Sequence, residues 1–180
     1  MKYLISLLAL TLLFSSRVEA KPYTSIVQSA SSVTFRYSQM SVAMDGRFKK
    51  FSVDVQLDPS KLENARARVA IDLSSIDTGS SEADEEVVGK SWFNVAAYPT
   101  AIFVLDSLKQ TAPGQLEATG KLTLKGRTRE LKAPLKLSPR GVLTGSFVIR
   151  RADYGIGEGM WSKFDVVANE VTVNISLTLK

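Results

Sequence analysis

Between Ala118 and Leu137 the chain alternates apolar and polar residues on a two-residue period that is broken once. Gly120, Leu122 and Leu124 fall on one face, and Lys121, Thr123 and Lys125 on the other. After Gly126, Leu131, Ala133, Leu135 and Leu137 alternate with Glu130, Lys132, Pro134 and Lys136. A period of two belongs to a half-buried strand, and two such strands about a glycine-containing break make a β-hairpin. The pattern recurs along the chain. Val33, Phe35 and Tyr37 share a face, as do Phe51, Val53, Val55 and Leu57 in a strand opened by Gly46 and ended by Asp58-Pro59. Val69, Ile71 and Leu73 follow, then the apolar run Thr100 to Ser107. Beyond the hairpin come Leu143, Gly145, Phe147 and Ile149, and finally Val171, Val173, Ile175, Leu177 and Leu179. These segments make eight strands, all amphipathic in one sense. An open antiparallel sheet of that size would expose two edges, so the expected fold is an all-β, eight-stranded antiparallel barrel with its apolar face inside. Such a barrel is either filled by its own side chains or holds one small ligand. A membrane-spanning barrel would carry the reverse pattern, apolar outside and girdled by aromatics.

The period changes once. Ser81-Glu82-Ala83-Asp84 has the form of a capping box, predicting a short helix over Glu82 to Gly89 with Ser81 as its cap. Trp92, Phe93 and Tyr98-Pro99 follow, and the whole segment suits a lid or plug over one barrel end. Pro113-Gly114 and Pro139-Arg140-Gly141 mark turns between strands.

Residues 1–20 read as a secretory signal peptide. Lys2 opens an apolar run from Tyr3 to Phe14, and Val18-Glu19-Ala20 is a small-residue cleavage site. Cleavage there leaves residues 21–180 as one exported, periplasmic domain, and lowers the formal charge from +5 to +4. That modest charge allows a transient contact with a membrane surface. The chain has no cysteine and no histidine. It therefore lacks disulfides, a lipoprotein anchor, the usual nucleophile–base pairs and the usual transition-metal ligands. Neither a cofactor, a metal nor a nucleic-acid partner is expected. The acids Asp84, Glu85 and Glu86 read as the solvated first turn of the helix. Arg127, Arg129, Arg150 and Arg151 carry guanidinium groups of the kind that match a phosphate, but Arg127 and Arg129 read as turn and outer-face charges. Gly155-Ile156-Gly157-Glu158-Gly159 lacks the spacing of a dinucleotide loop and reads as a flexible loop at the barrel mouth.

Four stretches carry a resemblance: Gly120 to Arg129 (GKLTLKGRTR), Ser75-Ile76-Asp77-Thr78-Gly79, Trp92-Phe93-Asn94 with Tyr98-Pro99, and Asp153-Tyr154-Gly155-Ile156-Gly157. In this order and spacing, from about Ser32 to the end, the chain resembles the YceI family. Two departures stand out. Family members often carry histidines around the first strand, where this chain has Ser31-Ser32 and Tyr37-Ser38, and often Asp where it has Asn94. The resemblance implies a lipocalin-like barrel with an apolar tunnel for a polyisoprenoid chain or an isoprenoid quinone. On that reading the inward set Phe35, Phe51, Val53, Ile71, Phe103, Leu122, Leu124, Phe147, Ile149, Val173 and Ile175 lines a tunnel, and Trp92, Phe93, Tyr154 and Trp161 ring its mouth. The expected function is carriage, buffering or sensing of a long amphiphile without enzymatic turnover. A filled-barrel module that binds another envelope protein is the alternative. A hydrolase or isomerase of a hydrophobic substrate is a third possibility, which the missing His and Cys disfavour.

Overall fold

The computed structural model describes residues 22–180; the predicted signal segment 1–20 lies outside them. One ten-stranded sheet holds β1 (Ser32–Gln39), β2 (Val42–Phe48), β3 (Phe51–Gln56), β4 (Arg66–Asp72), β5 (Ile76–Asp77), β6 (Thr100–Ala112), β7 (Gln115–Leu124), β8 (Arg127–Leu137), β9 (Val142–Arg150) and β10 (Glu170–Thr178). Every pairing is antiparallel, in the order β3-β4-β6-β7-β8-β9-β10-β1-β2-β5.

Ten strands replace the expected eight because two of them bend. The predicted strand from Gly46 to Leu57 divides at Lys49-Lys50 into β2 and β3; the one through Val69 to Leu73 is β4, and after the 3₁₀ turn Leu73–Ser75 the chain adds the short strand β5. The two bends lie side by side. Phe48 pairs with Ile76 before them and Phe51 with Ile71 after them. Between these pairs the Lys49 amide donates to the Ser75 carbonyl (3.0 Å), the Lys50 amide to Ser75 Oγ (2.9 Å) and the Asp72 amide to the Lys50 carbonyl (3.1 Å). The extra residues on one side form a bulge, which turns the strand direction. The sheet's two formal ends, β3 and β5, are thus covalent continuations of β2 and β4, and the sheet curls round on itself as a barrel. Where β3 diverges from β1, the segment before β1 fills the gap, pairing Tyr23 with Leu57 and Ile26 with Leu179.

Two apolar clusters occupy the ends of the barrel. The lower one contains Val55, Leu57, Leu108, Leu116, Leu143, Leu177 and Leu179. The upper one contains Leu73, Trp92, Ala101, Leu124, Tyr154, Ile156 and Val167. Among the described residues the one α-helix, α1 (Ser81–Val88), begins one residue earlier than predicted. Its N-cap is Ser80, whose hydroxyl accepts from the Ala83 amide, while the Ser80 hydroxyl also donates to Glu82. Ser81 therefore belongs to the first turn and is not the cap.

Candidate functional site

The barrel is hollow. Its interior is a cavity of about 610 Å³ with an almost wholly apolar wall, within the size range of sites that enclose small molecules. Inner-face glycines help make this room. Gly46 lies opposite Phe35 across the β1–β2 ladder, and a side chain there would collide with the Phe35 ring; one at Gly120 would collide with Phe103. The rings lie where those side chains would otherwise be.

Of the predicted tunnel residues, Phe35, Val53, Ile71, Phe103, Leu122, Leu124, Phe147, Ile149, Val173 and Ile175 line the cavity, and Phe51 does not. Phe51 is the first residue beyond the Lys49-Lys50 bend, and it packs against the lower cluster instead. Of the predicted mouth residues, Trp92, Phe93 and Trp161 line the cavity and Tyr154 does not. Tyr154 closes a 3₁₀ turn (Arg151–Tyr154) and is buried from behind, bordering a separate cleft of about 340 Å³ with Arg129, Val148, Asp153 and Glu170. Burial pushes its phenol above the ordinary range; Arg129 pulls the other way.

Polar groups gather at the upper end of the cavity: Tyr37, Gln39, Thr78, Ser80, Glu82, Glu86 and Arg151 all line it there, while Gln56 and Arg66 lie on its wall elsewhere. One face of α1, carrying Glu82, Ala83, Glu86 and Val87, borders the cavity like a lid. The Ser75-to-Gly79 motif fixes that lid. Thr78 is buried, and both its amide and its hydroxyl donate to Asp84 Oδ1 at 2.7 Å. Two of the acids expected to be merely solvated are therefore anchors. Asp84 ties the helix to β5, and Glu86 Oε1 accepts from the indoles of Trp92 (3.2 Å) and Trp161 (2.8 Å).

Arg151 is a buried structural charge. It is 2% exposed, and its guanidinium donates to the carbonyls of Ile156, Gly157, Trp161, Lys163, Val167 and Ala168. It stacks between the rings of Trp92 (5.3 Å) and Phe164 (5.1 Å). Desolvation lowers its pKa, but a guanidinium stays charged. The Gly155-to-Gly159 loop is held by this residue rather than free. The other three arginines are surface groups: Arg127 reaches Glu158, Arg129 donates to the Asp153 carbonyl, and Arg150 faces Glu170. Lys125, predicted to face outward, adopts a left-handed conformation in the β7–β8 turn and donates to the Gly155 carbonyl at 2.6 Å.

Residues 25–179 match the family model described as a YceI-like domain. The chain belongs to this family. Among relatives of the YceI-like domain, a UPF0312 protein of Shewanella denitrificans is 31% identical over 128 residues, covering 70% of this chain and 67% of its own. The crystal structure of BcnA from Burkholderia cenocepacia is similar at TM-score 0.82 and 33% identity, covering 85% of this chain and 98% of that one. A polyisoprenoid binding domain from Saccharophagus degradans shares the fold at TM-score 0.66 and 18% identity, covering 89% of this chain and 99% of that one. Within this YceI-like domain, Asn94 has a backbone role. It is left-handed, a conformation Asn tolerates, and its carbonyl accepts from the Ala97 and Tyr98 amides.

Proposed function

We propose that this protein is an exported, non-catalytic binding protein that holds a polyisoprenoid or isoprenoid quinone in the barrel, its chain in the apolar cavity and its head at the lidded end. One observation carries this reading: the cavity is apolar along its walls but gathers Tyr37, Gln39, Glu86 and Arg151 at its upper end, the polarity profile of an amphiphile. A relative described as a polyisoprenoid binding domain supports the ligand class. The cavity argues against a filled-barrel interaction module.

The energetics suit a carrier. A chain of eight isoprene units has about forty carbons, and burying each gains about 0.8 kcal/mol against water, a gross sum beyond the ceiling for any complex. The lipid is equally dry in a bilayer, however, so transfer between membrane and barrel is nearly neutral in hydrophobic terms. Small differences in head-group contact and chain ordering then set the direction. Export rests on the pattern in residues 1–20, and N-terminal sequencing of the mature protein should begin at Lys21.

Titration with isoprenoid alcohols of increasing length tests the reading. Affinity should rise with each isoprene unit until the cavity is full and then level off. Affinity independent of chain length would contradict it.

A further inference from the structure

We propose that the rim of the lidded end is a membrane-docking face, at which the protein seats its mouth on a phospholipid bilayer. The proposal rests on the carrier reading above for its purpose, but its observations are separate. Among the exposed large hydrophobic residues, Met40, Val42, Met160, Phe164 and Val166 lie on two segments, the β1–β2 turn and the loop before β10. Those segments are joined: the Met40 amide donates to the Val166 carbonyl at 2.7 Å, the Ala168 amide to the Ser38 carbonyl at 2.9 Å, and Gln39 bridges Val167. Exposed residues alternate with cavity-lining ones along both. Gln39, Trp161 and Val167 line the cavity, and their chain neighbours Met40, Met160 and Val166 point out. The outer apolar rim is therefore continuous with the mouth.

Two features suggest that the exposure serves a use. Met40 and Ser41 are the two turn residues between β1 and β2, and both are left-handed, with φ of 51° and 65°. Such a turn favours Asn-Gly. Here it holds a methionine that is 71% exposed, a strained placement with no packing gain inside the protein. Met160, between Gly159 and Trp161, is 86% exposed, while Phe164 is held in place beneath by the Arg151 guanidinium. Lys163 and Asp165, which flank Phe164, are of opposite sign, and Glu158, two residues before Met160, is paired with Lys125 and Arg127. A charged protein partner or an anionic surface is not what this patch complements. A bilayer that accepts apolar side chains is, and an isoprenoid would leave it next to the cavity.

The test uses the purified mature chain and sedimentation with vesicles of phosphatidylcholine alone. The protein should cosediment, with little change in high salt. Met160→Glu with Phe164→Glu should lower the vesicle-bound fraction by roughly tenfold, as two inserted apolar groups are lost. Val104→Glu, exposed on the barrel side, should leave it unchanged, with equal thermal midpoints showing that both variants fold. Absence of wild-type binding, an equal loss in Val104→Glu, or a solution dimer that only the rim variant dissociates would overturn the proposal. Solvent extraction of the same preparation separates the two ideas. Protein that holds isoprenoid but ignores vesicles defeats only the docking face. Protein that docks but carries none defeats only the carrier reading.

Discussion

Arg151 shows what a single buried charge does in this fold. Each buried carbonyl left without a donor costs roughly 1–3 kcal/mol, and this guanidinium serves six of them while packing against two aromatic rings. Arg151→Met should therefore lower stability by about 4 kcal/mol in urea unfolding, and Arg151→Lys, with three donors in place of five, by about half that. Parity was the signal for its position. Ile149 faces in, so Arg151, two residues on, faces in as well, but its charge grouped it with the other arginines as a candidate phosphate contact. Lys125 was missed for the opposite reason, since alternation ends at the turn and cannot describe a left-handed residue. Leu122 was legible from parity alone and is partly open to the cavity. In a hollow barrel Leu122→Trp should cost less than about 1 kcal/mol, whereas overpacking a filled core costs about 1–3. It should also weaken long isoprenoids selectively over short ones. Lys132→Ala, on the outer face of β8, should change neither the thermal midpoint nor the chain-length preference.

Among the elements, the bend shared by β2–β3 and β4–β5 matters most, because it lets the sheet curl round. Its outer side is held by Asp77, which pairs with Arg47 at 3.0 Å and Lys49 at 3.6 Å. The hydrogen bond from Arg47, then that from the Gly79 amide, holds the Asp77 carboxyl below its ordinary range. A carboxylate whose folded pKa is depressed stabilises the fold above its unfolded value, near 3.9, and loses that contribution as the pH falls through the folded value. The thermal midpoint should hold steady down to about pH 5 and drop below about pH 4. Asp77→Asn should lower the plateau slightly and make the acid drop shallower. The alternation revealed the strands on both sides of the bend, but not the bend itself. The inward parity slips by one at both bends, from Phe48 to Phe51 and from Leu73 to Ile76, so what read as eight amphipathic runs forms ten strands. The helix was found from its acids and stop glycine, and its cap was misplaced by one residue because Ser80 and Ser81 offer the same chemistry.

For the molecule as a whole, the open question in the sequence was whether the barrel is filled or hollow. Alternation identifies the inward face, but the width of a barrel follows from strand number and stagger, which no local pattern encodes. Glycine and alanine on the inner face, at Gly46, Gly120, Ala101, Ala118 and Ala133, were the available hint. The chain has neither His nor Cys, so no side chain with an ordinary pKa titrates between about pH 5 and 8. Ligand affinity should be flat across that interval. Whether the cavity holds an isoprenoid chain is decided by solvent extraction of the protein purified from its native host, followed by mass spectrometry. A single class of long isoprenoid near one molecule per protein is the predicted result. A preparation that is fully folded and yields no bound lipid, or only a random sample of membrane lipids, would contradict it.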